Sequence, residues 1–427
     1  MATQTTRILQ LSSLIAQNTE LINAYLDQNG LSTPSFDAEA SRLFPFPIPT
    51  DSSSSSHINT ARTEVIEACS ELKDLLTGPR DLVRFQWTAH VSVKAILRFK
   101  LDQSFAVGES TSFEAMSAFS GLDVKTVRRI VRHAIINHRF FKEDVPGTIT
   151  HSALTAVLAN DEMARNSLVV ELDEFWPAGV KMADAMEKWP NSEENNQTGF
   201  SLANNNSNGN KGMFDIFAEN PERGERFGRY FSNPNPNEPM PADGIVDSYD
   251  WDEKRTMVDV GGSHGSVAIS IAERFPHMTC FVQDLPDTVA EGASRLPAHL
   301  QGRVKFMAHD FFTPQTQVAD VYYFKSIFHN WADKYCIEIL RNLIPSLRPG
   351  ARIIIHERIL PGLENLTTAD AKRAICLTRN SERWKNDPSY SERQTPTFAI
   401  WELGVPRVRF VGLSRRNGRC RRLMNDI

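Results

Sequence analysis

Residues Met257–Pro276 read MVDVGGSHGSVAISIAERFP, and this stretch decides the fold. An apolar run, a glycine-rich turn and an amphipathic helical pattern follow one another, the signature of a strand–turn–helix unit. Glycine allows a sharp turn at positive φ and a close approach of backbone to a ligand. A tight turn with no ligand is the plainer reading of these residues alone. Outward from this unit, β-rich runs alternate with helical ones: TCFVQDL, VAEGASRL, VKFMAHDF, DVYYFKS, DKYCIEILRNLIPSL and ARIIIHERIL. Strands alternating with helices predict βαβ units around a parallel sheet, with any ligand at the carboxyl ends of the strands.

The ligand class follows from what surrounds the glycines. A dinucleotide fingerprint requires G-x-G-x-x-G, whereas Gly261-Gly262-Ser263-His264-Gly265 misses that spacing. Asp259, inside the strand, would repel a pyrophosphate and suits a cationic ligand. The next strand ends FVQDLP, which puts Asp284 about twenty residues past the glycines, where a carboxylate accepts both hydroxyls of a ribose. An NAD-dependent dehydrogenase is therefore disfavoured.

The chain has 427 residues, enough for two domains, with 41% hydrophobic and 23% charged residues and a net charge of −5. That balance gives no reason to expect a nucleic-acid or membrane partner. No apolar run reaches the roughly 18 residues that span a bilayer, and the N-terminus reads as an amphipathic helix rather than a signal peptide. The five cysteines are dispersed without a CxxC pair, which points to reduced thiols in the cytoplasm and away from a metal site.

Helical spacing marks Leu9–Leu26 and Ala61–Leu76, separated by a Pro/Ser-rich linker. Between Asp81 and about Leu154 several short helices and the extended turn FFKEDVPGTITHS resemble a winged helix, with DVKTVRRIVRHAIINH where a recognition helix would lie. A DNA-binding regulator is thus one rival reading. Against it, Val127, Ile130, Val131 and Ile135 give the same helix an apolar face. From Thr155 to Phe231 the pattern is helical, interrupted by the Asn-rich NSEENNQTGFSLANNNSNGNKG, which reads as loop or disorder. DEFWPAGVKMADAMEKWP (Asp173–Pro190) reads either as an apolar acceptor pocket or as helix packing.

Taken together, VDVGGSHGS, FVQDLP, HDFF, YYFKSIFHNWADKYC and LRPGARIIIHERILPG resemble the S-adenosylmethionine-dependent O-methyltransferases of the plant caffeate and isoflavone type, and especially their fungal secondary-metabolism relatives. The resemblance is strong from about Gly212 to Leu366 and looser before it. It implies an α/β fold: a doubly wound, Rossmann-like class I catalytic domain (161–427) behind an all-helical, winged-helix-like dimerisation domain (1–160). It implies a homodimer, S-adenosyl-L-methionine as cofactor, no metal, and a small aromatic acceptor. By the same resemblance Asp259, Gly261 and Gly262 belong to the loop that cradles the methionine part, Asp284 holds the ribose, Asp310 and Phe311 contact the adenine, and Lys325 contacts the cofactor. His329 matches the catalytic base, Glu357 the carboxylate that orients it, and Glu382, in NSERW, a second catalytic carboxylate.

These groups suit the chemistry. A neutral phenol, with a pKa of about 10, is a poor nucleophile near neutrality, and a positioned base adds roughly 10²–10⁴-fold. A histidine remains largely neutral at that pH yet accepts a proton, and a carboxylate on its other ring nitrogen fixes the tautomer. His264, His309 and His356 read as structural histidines, and Trp331 as pocket wall or core.

After about Ala374 the pattern changes. The segment 375–427 is polar and Arg-rich, and from about Tyr390 it looks wrong for the closing strands of such a sheet. The abrupt change suggests a shifted reading frame or exon boundary and leads one to expect a sheet lacking its last strands. It also keeps open a second rival, a cofactor-binding protein with impaired catalysis.

Overall fold

The computed structural model describes residues 6–40, 53–84, 88–232, 243–357, 397–403 and 408–410. It falls into two compact units: Met1–Pro177 with Glu225–Tyr230, and Ala178–Gly224 with most of the chain from Phe231 onward.

In the first unit, helices Arg7–Gln28 and Ser53–Thr77 pack on each other. Helices Ala89–Arg98, Phe113–Ser120 and Val124–His138 enclose a second core. Each short helix starts where a side chain can satisfy a free amide: Ser112 accepts from Ala115 N, and Asp123 from Thr126 N. Val127, Val131 and Ala134, spaced by four and three, form the buried face of Val124–His138. Besides helices, this unit carries a small antiparallel sheet in the order β1 (Ser110–Ser112), β3 (Thr148–Thr150), β2 (Lys142–Val145), so the extended turn is a hairpin wing. Arg128 and Arg132 on the would-be recognition helix pair with Glu114 and Glu143. The Arg132 guanidinium holds the Glu143 carboxyl down at about 2.

The second unit is built on seven strands. Five are parallel: β4 (Thr256–Val260), β5 (Thr279–Asp284), β6 (Val304–Ala308), β7 (Val321–Lys325) and β8 (Arg352–Glu357). Their order, β8-β7-β4-β5-β6, makes the β4/β7 boundary the switch point where a crevice opens. Alternation sorts the side chains. Met257, Tyr323 and Ile354 face the core that helix Ser266–Arg274 covers. Val258, Val260, Tyr322, Phe324, Ile353 and Ile355 face the core that helix Asp333–Arg341 covers, through Cys336, Ile339 and Leu340. Burial on both faces explains why these strands read as continuous apolar runs.

Two expectations change. Within the Asn-rich segment, Gly199–Ala203 is a short helix capped by Thr198, with Asn206 and Ser201 bonded to the Lys211 carbonyl. At the C-terminus the expected loss of the closing strands is wrong: β9 (Thr397–Leu403) runs antiparallel to β8, and β10 (Val408–Phe410) antiparallel to β9. The run TFAIWEL carries enough apolar and β-forming residues to extend the sheet despite its Arg-rich surroundings. No described helix is long and apolar enough to cross a membrane.

Candidate active site

At the end of β4 the chain turns through Gly261 (φ 70°), Ser263 (φ 52°) and Gly265 (φ 77°) before helix Ser266–Arg274 begins. The amides of Gly261 and Gly262 both donate to the Gln283 carbonyl, at 2.8 and 3.0 Å, which locks the turn onto β5. Side chains are excluded here by contact. A Cβ at Gly261 would sit 2.5 Å from Ile327 Cδ1, and one at Gly262 would sit 2.6 Å from the Asp259 carboxyl carbon. Asp284 accepts from Ser263 N through Oδ2 at 2.9 Å and from Leu285 N through Oδ1 at 2.8 Å. Among the described residues these amides use two of a carboxylate's roughly four acceptor positions. Burial pushes the Asp284 carboxyl up, and the two amides oppose it.

On the other side of the switch point, β7 ends at Lys325. Ser326 adopts a left-handed conformation (φ 57°) and donates its amide to the His356 carbonyl at 3.0 Å, and the turn Phe328–Asn330 follows. This kink delivers His329. Its Nδ1 lies 2.8 Å from Glu357 Oε2, while Glu357 Oε1 accepts the Phe328 amide at 2.7 Å. One carboxylate at the end of β8 thus holds both the backbone and the ring of the histidine turn. With Nδ1–H directed at Glu357, Nε2 is left as the acceptor of the ring. The Glu357 side chain is 8% exposed and that of His329 31%, so the pair is anchored inside and reachable outside.

Aromatic side chains flank this turn. Trp331 meets Phe312 at 4.7 Å, Tyr335 at 5.7 Å and Phe311 at 5.9 Å between ring centroids, each edge-on. Tyr335 and Lys334 are in turn held by Glu194. Asp310 spends its side chain on the Phe312 amide at 2.9 Å, which orients the loop carrying Phe311. Gln315 and Gln283 exchange two amide hydrogen bonds, 2.7 and 2.9 Å, and so tie this loop to β5.

The structure therefore gathers Asp259, Gly261, Gly262, Asp284, Lys325, His329 and Glu357 at the carboxyl end of one sheet, with Phe311 near the glycine turn. Glu382 lies outside the described residues. Of the stretch Asp173–Pro190, Phe175 packs edge-on against Phe227 and Tyr230. Sequence reading missed Ile327, which covers Gly261, and the Glu194 contacts, since neither carries a motif. It also left His356 and His264 without partners, whereas His356 Nδ1 meets Tyr323 Oη and His264 meets Ser263 and Glu291. Register-neighbouring strands supply the first pairing, and that register is invisible before the strand order is known.

Residues 191–388 match the family model described as an O-methyltransferase domain. The chain is 37% identical over 402 residues to O-methyltransferase AMT9 of Alternaria alternata, covering 90% of this chain and 92% of that one. The chain belongs to the O-methyltransferase family. It is also 31% identical to the chlorophenol O-methyltransferase of Trichoderma longibrachiatum, over 96% of this chain and 87% of that one. A crystal structure of OxaC shares the fold of this O-methyltransferase with a TM-score of 0.66 at 18% identity, covering 87% of this chain and 90% of that one.

The donor of this family is S-adenosylmethionine, and the site fits it. Asp259 is 2% exposed, and its Oδ2 has no hydrogen-bond partner among the described residues. It lies under a turn in which a side chain at Gly261 or Gly262 would collide. A buried carboxyl left without a partner beneath a cradle of bare backbone suits a ligand that is cationic and needs close approach.

Proposed function

We propose that this O-methyltransferase methylates a phenolic hydroxyl of a small aromatic or polyketide-type secondary metabolite, with His329 as general base. The observation that carries the reading is the His329–Glu357 pair at 2.8 Å, whose outer nitrogen is left to accept a proton. Bound S-adenosylmethionine supplies an electrophilic methyl group on a sulfonium. With the donor held in line, His329 Nε2 would take the acceptor O–H proton as the oxygen forms its new C–O bond, the methyl–sulfur bond breaking and the neutral thioether leaving. Glu357 fixes the tautomer and stabilises the imidazolium that forms, a role that recurs wherever a histidine base is paired with a buried carboxylate. Proximity of two held substrates contributes several kcal/mol, up to about 7–11 in well-oriented systems.

The cofactor side is assigned to Gly261 and Gly262 for the methionine portion, Asp284 for the ribose, Asp310 and Phe311 for the adenine, and Lys325 beside Asp259. The rings of Phe312 and Tyr335 packed on Trp331, two residues on from His329, support a flat aromatic acceptor. Glu382 is retained as a second carboxylate of the site.

The N-terminal region is assigned to homodimerisation. Ile8, Leu9, Leu21, Ile66, Leu75 and Leu76 are exposed on its first two helices, which supports an apolar contact there. Cys69, Cys280 and Cys336 form no disulfide among the described residues, which accords with a cytoplasmic setting.

The test is methyl transfer from radiolabelled S-adenosylmethionine to a panel of chlorophenols and polyhydroxylated aromatics, alongside binding of S-adenosylmethionine and of NAD. We expect binding of the first and not of the second, and label in at least one phenol. Absence of S-adenosylmethionine binding would overturn the reading.

A further inference from the structure

Beneath the glycine turn lies a cluster of titratable groups that the His329–Glu357 pair does not use. Asp259 on β4 is register-paired with Tyr323 on β7, and Lys325, two residues further on β7, is paired with His356 on β8. Alternation puts all four on the same face of the sheet. Asp259, Tyr323 and His356 are 2%, 0% and 0% exposed. Tyr323 Oη lies 2.6 Å from His356 Nδ1. Burial pushes the Tyr323 phenol well up, with the Asp259 and Glu357 carboxylates adding to the effect. Burial and the Lys325 charge push the His356 imidazole down to about 3. Both partners are therefore neutral near pH 7, with the phenol donating to the imidazole, and neither brings a charge to Asp259.

The remaining groups that act on Asp259 are few. Lys325 favours its ionised form, as does the Ala268 amide of the covering helix. Burial, the largest influence, and Asp284 on β5 favour the protonated form. Cys280 on β5 also feels Asp259, and its thiol, pushed up to about 12, stays neutral. The balance carries the Asp259 carboxyl up to about 7. Geometry agrees. Oδ2 lacks a partner among the described residues and lies 2.8 Å from where a side chain at Gly262 would begin, directly under the turn.

We propose that Asp259 is a proton-releasing counter-ion: held largely as the neutral acid when the site is free, it ionises as the cationic cofactor binds. The step breaks only the carboxyl O–H bond and hands the proton to solvent. Its consequence is a donor affinity that rises with pH up to the point where Asp259 is already ionised in the free protein. The inference rests on the cofactor reading given above.

Calorimetric titration of the full chain with S-adenosylmethionine at pH 6.5, in two buffers of different ionisation enthalpy, counts the protons released. At that pH the ligand's own α-amino group, near 7.7–8.0, is essentially protonated and contributes little. For a carboxyl with a free-state value near 7 that ionises on binding, the wild type releases about 0.7 proton, and Asp259→Asn releases none. Wild-type affinity alone improves about fivefold from pH 6 to pH 7 on the same basis, a range in which the ligand's α-amino group stays largely protonated, and this readout needs no variant. Binding with no proton release and a flat pH profile overturns the inference and leaves the cofactor reading standing, and release that persists undiminished in Asp259→Asn also overturns it. No binding at either pH overturns both.

Discussion

At the scale of single residues, Glu357 is the group on which the site turns. It receives the Phe328 amide on one oxygen and the His329 ring on the other, so it sets both the position and the tautomer of His329, the base we propose. Glu357→Gln keeps the volume and the acceptor oxygen but replaces one carboxylate contact with an amide. We expect turnover to fall about 10²-fold or more, by the general scale of acid–base contributions, with S-adenosylmethionine affinity within twofold, as calorimetry and initial rates will measure. A parallel loss of affinity would make Glu357 a structural strut instead. Gly262→Ala probes the cradle. Its methyl would lie 2.6 Å from the Asp259 carboxyl carbon, among contacts real side chains do not make. Donor affinity should drop at least tenfold while the circular dichroism spectrum is kept; unchanged affinity would remove the turn from the binding surface. These residues were legible in the chain because their chemistry is tied to short motifs. His356 was not, because its partner Tyr323 comes from another strand at a distance of 33 residues.

At the scale of elements, β8 joins function to stability. Its residues alternate between two cores, and its last two, His356 and Glu357, are both buried. The His356 imidazole, at about 3 in the fold against an ordinary value of 6.5, takes up a proton more readily in the unfolded chain. Its contribution to stability is therefore fully present above about 6.5 and is lost as pH falls toward about 3, by up to roughly 1.4 kcal/mol per pH unit. Asp259, raised in the fold, has the opposite slope and is present in both chains compared, so the difference between wild type and His356→Gln isolates the histidine. Thermal melting between pH 7 and 4 should fall less steeply in the variant; an equally steep acid limb would refute the assignment. The parallel strands were readable because burial on both faces makes them continuous apolar runs. The strand β9 was not, since its apolar residues sit in a polar, Arg-rich context and only pairing with β8 gives them a role. Ending the chain at residue 396 should expose β8 as a bare apolar edge and yield aggregated protein; a soluble, active product would show that β9 and β10 are dispensable.

At the scale of the whole molecule, one unit carries the sheet and its site, and the other carries helices with exposed apolar positions and a small wing. The wing and its basic helix read in sequence as a DNA-binding element, but two of the helix's arginines are engaged by Glu114 and Glu143. We expect sedimentation to give a dimer, with Leu9→Glu and Ile66→Glu shifting it toward monomer, and no salt-dependent gel shift with duplex DNA. A monomeric wild type would remove the dimerisation role. Whether His329 is the base that lets this chain methylate a hydroxyl is decided by donor affinity and turnover measured together in His329→Ala. We expect unchanged S-adenosylmethionine affinity with turnover reduced about 10²–10⁴-fold; turnover retained at the wild-type rate would remove His329 from the chemistry.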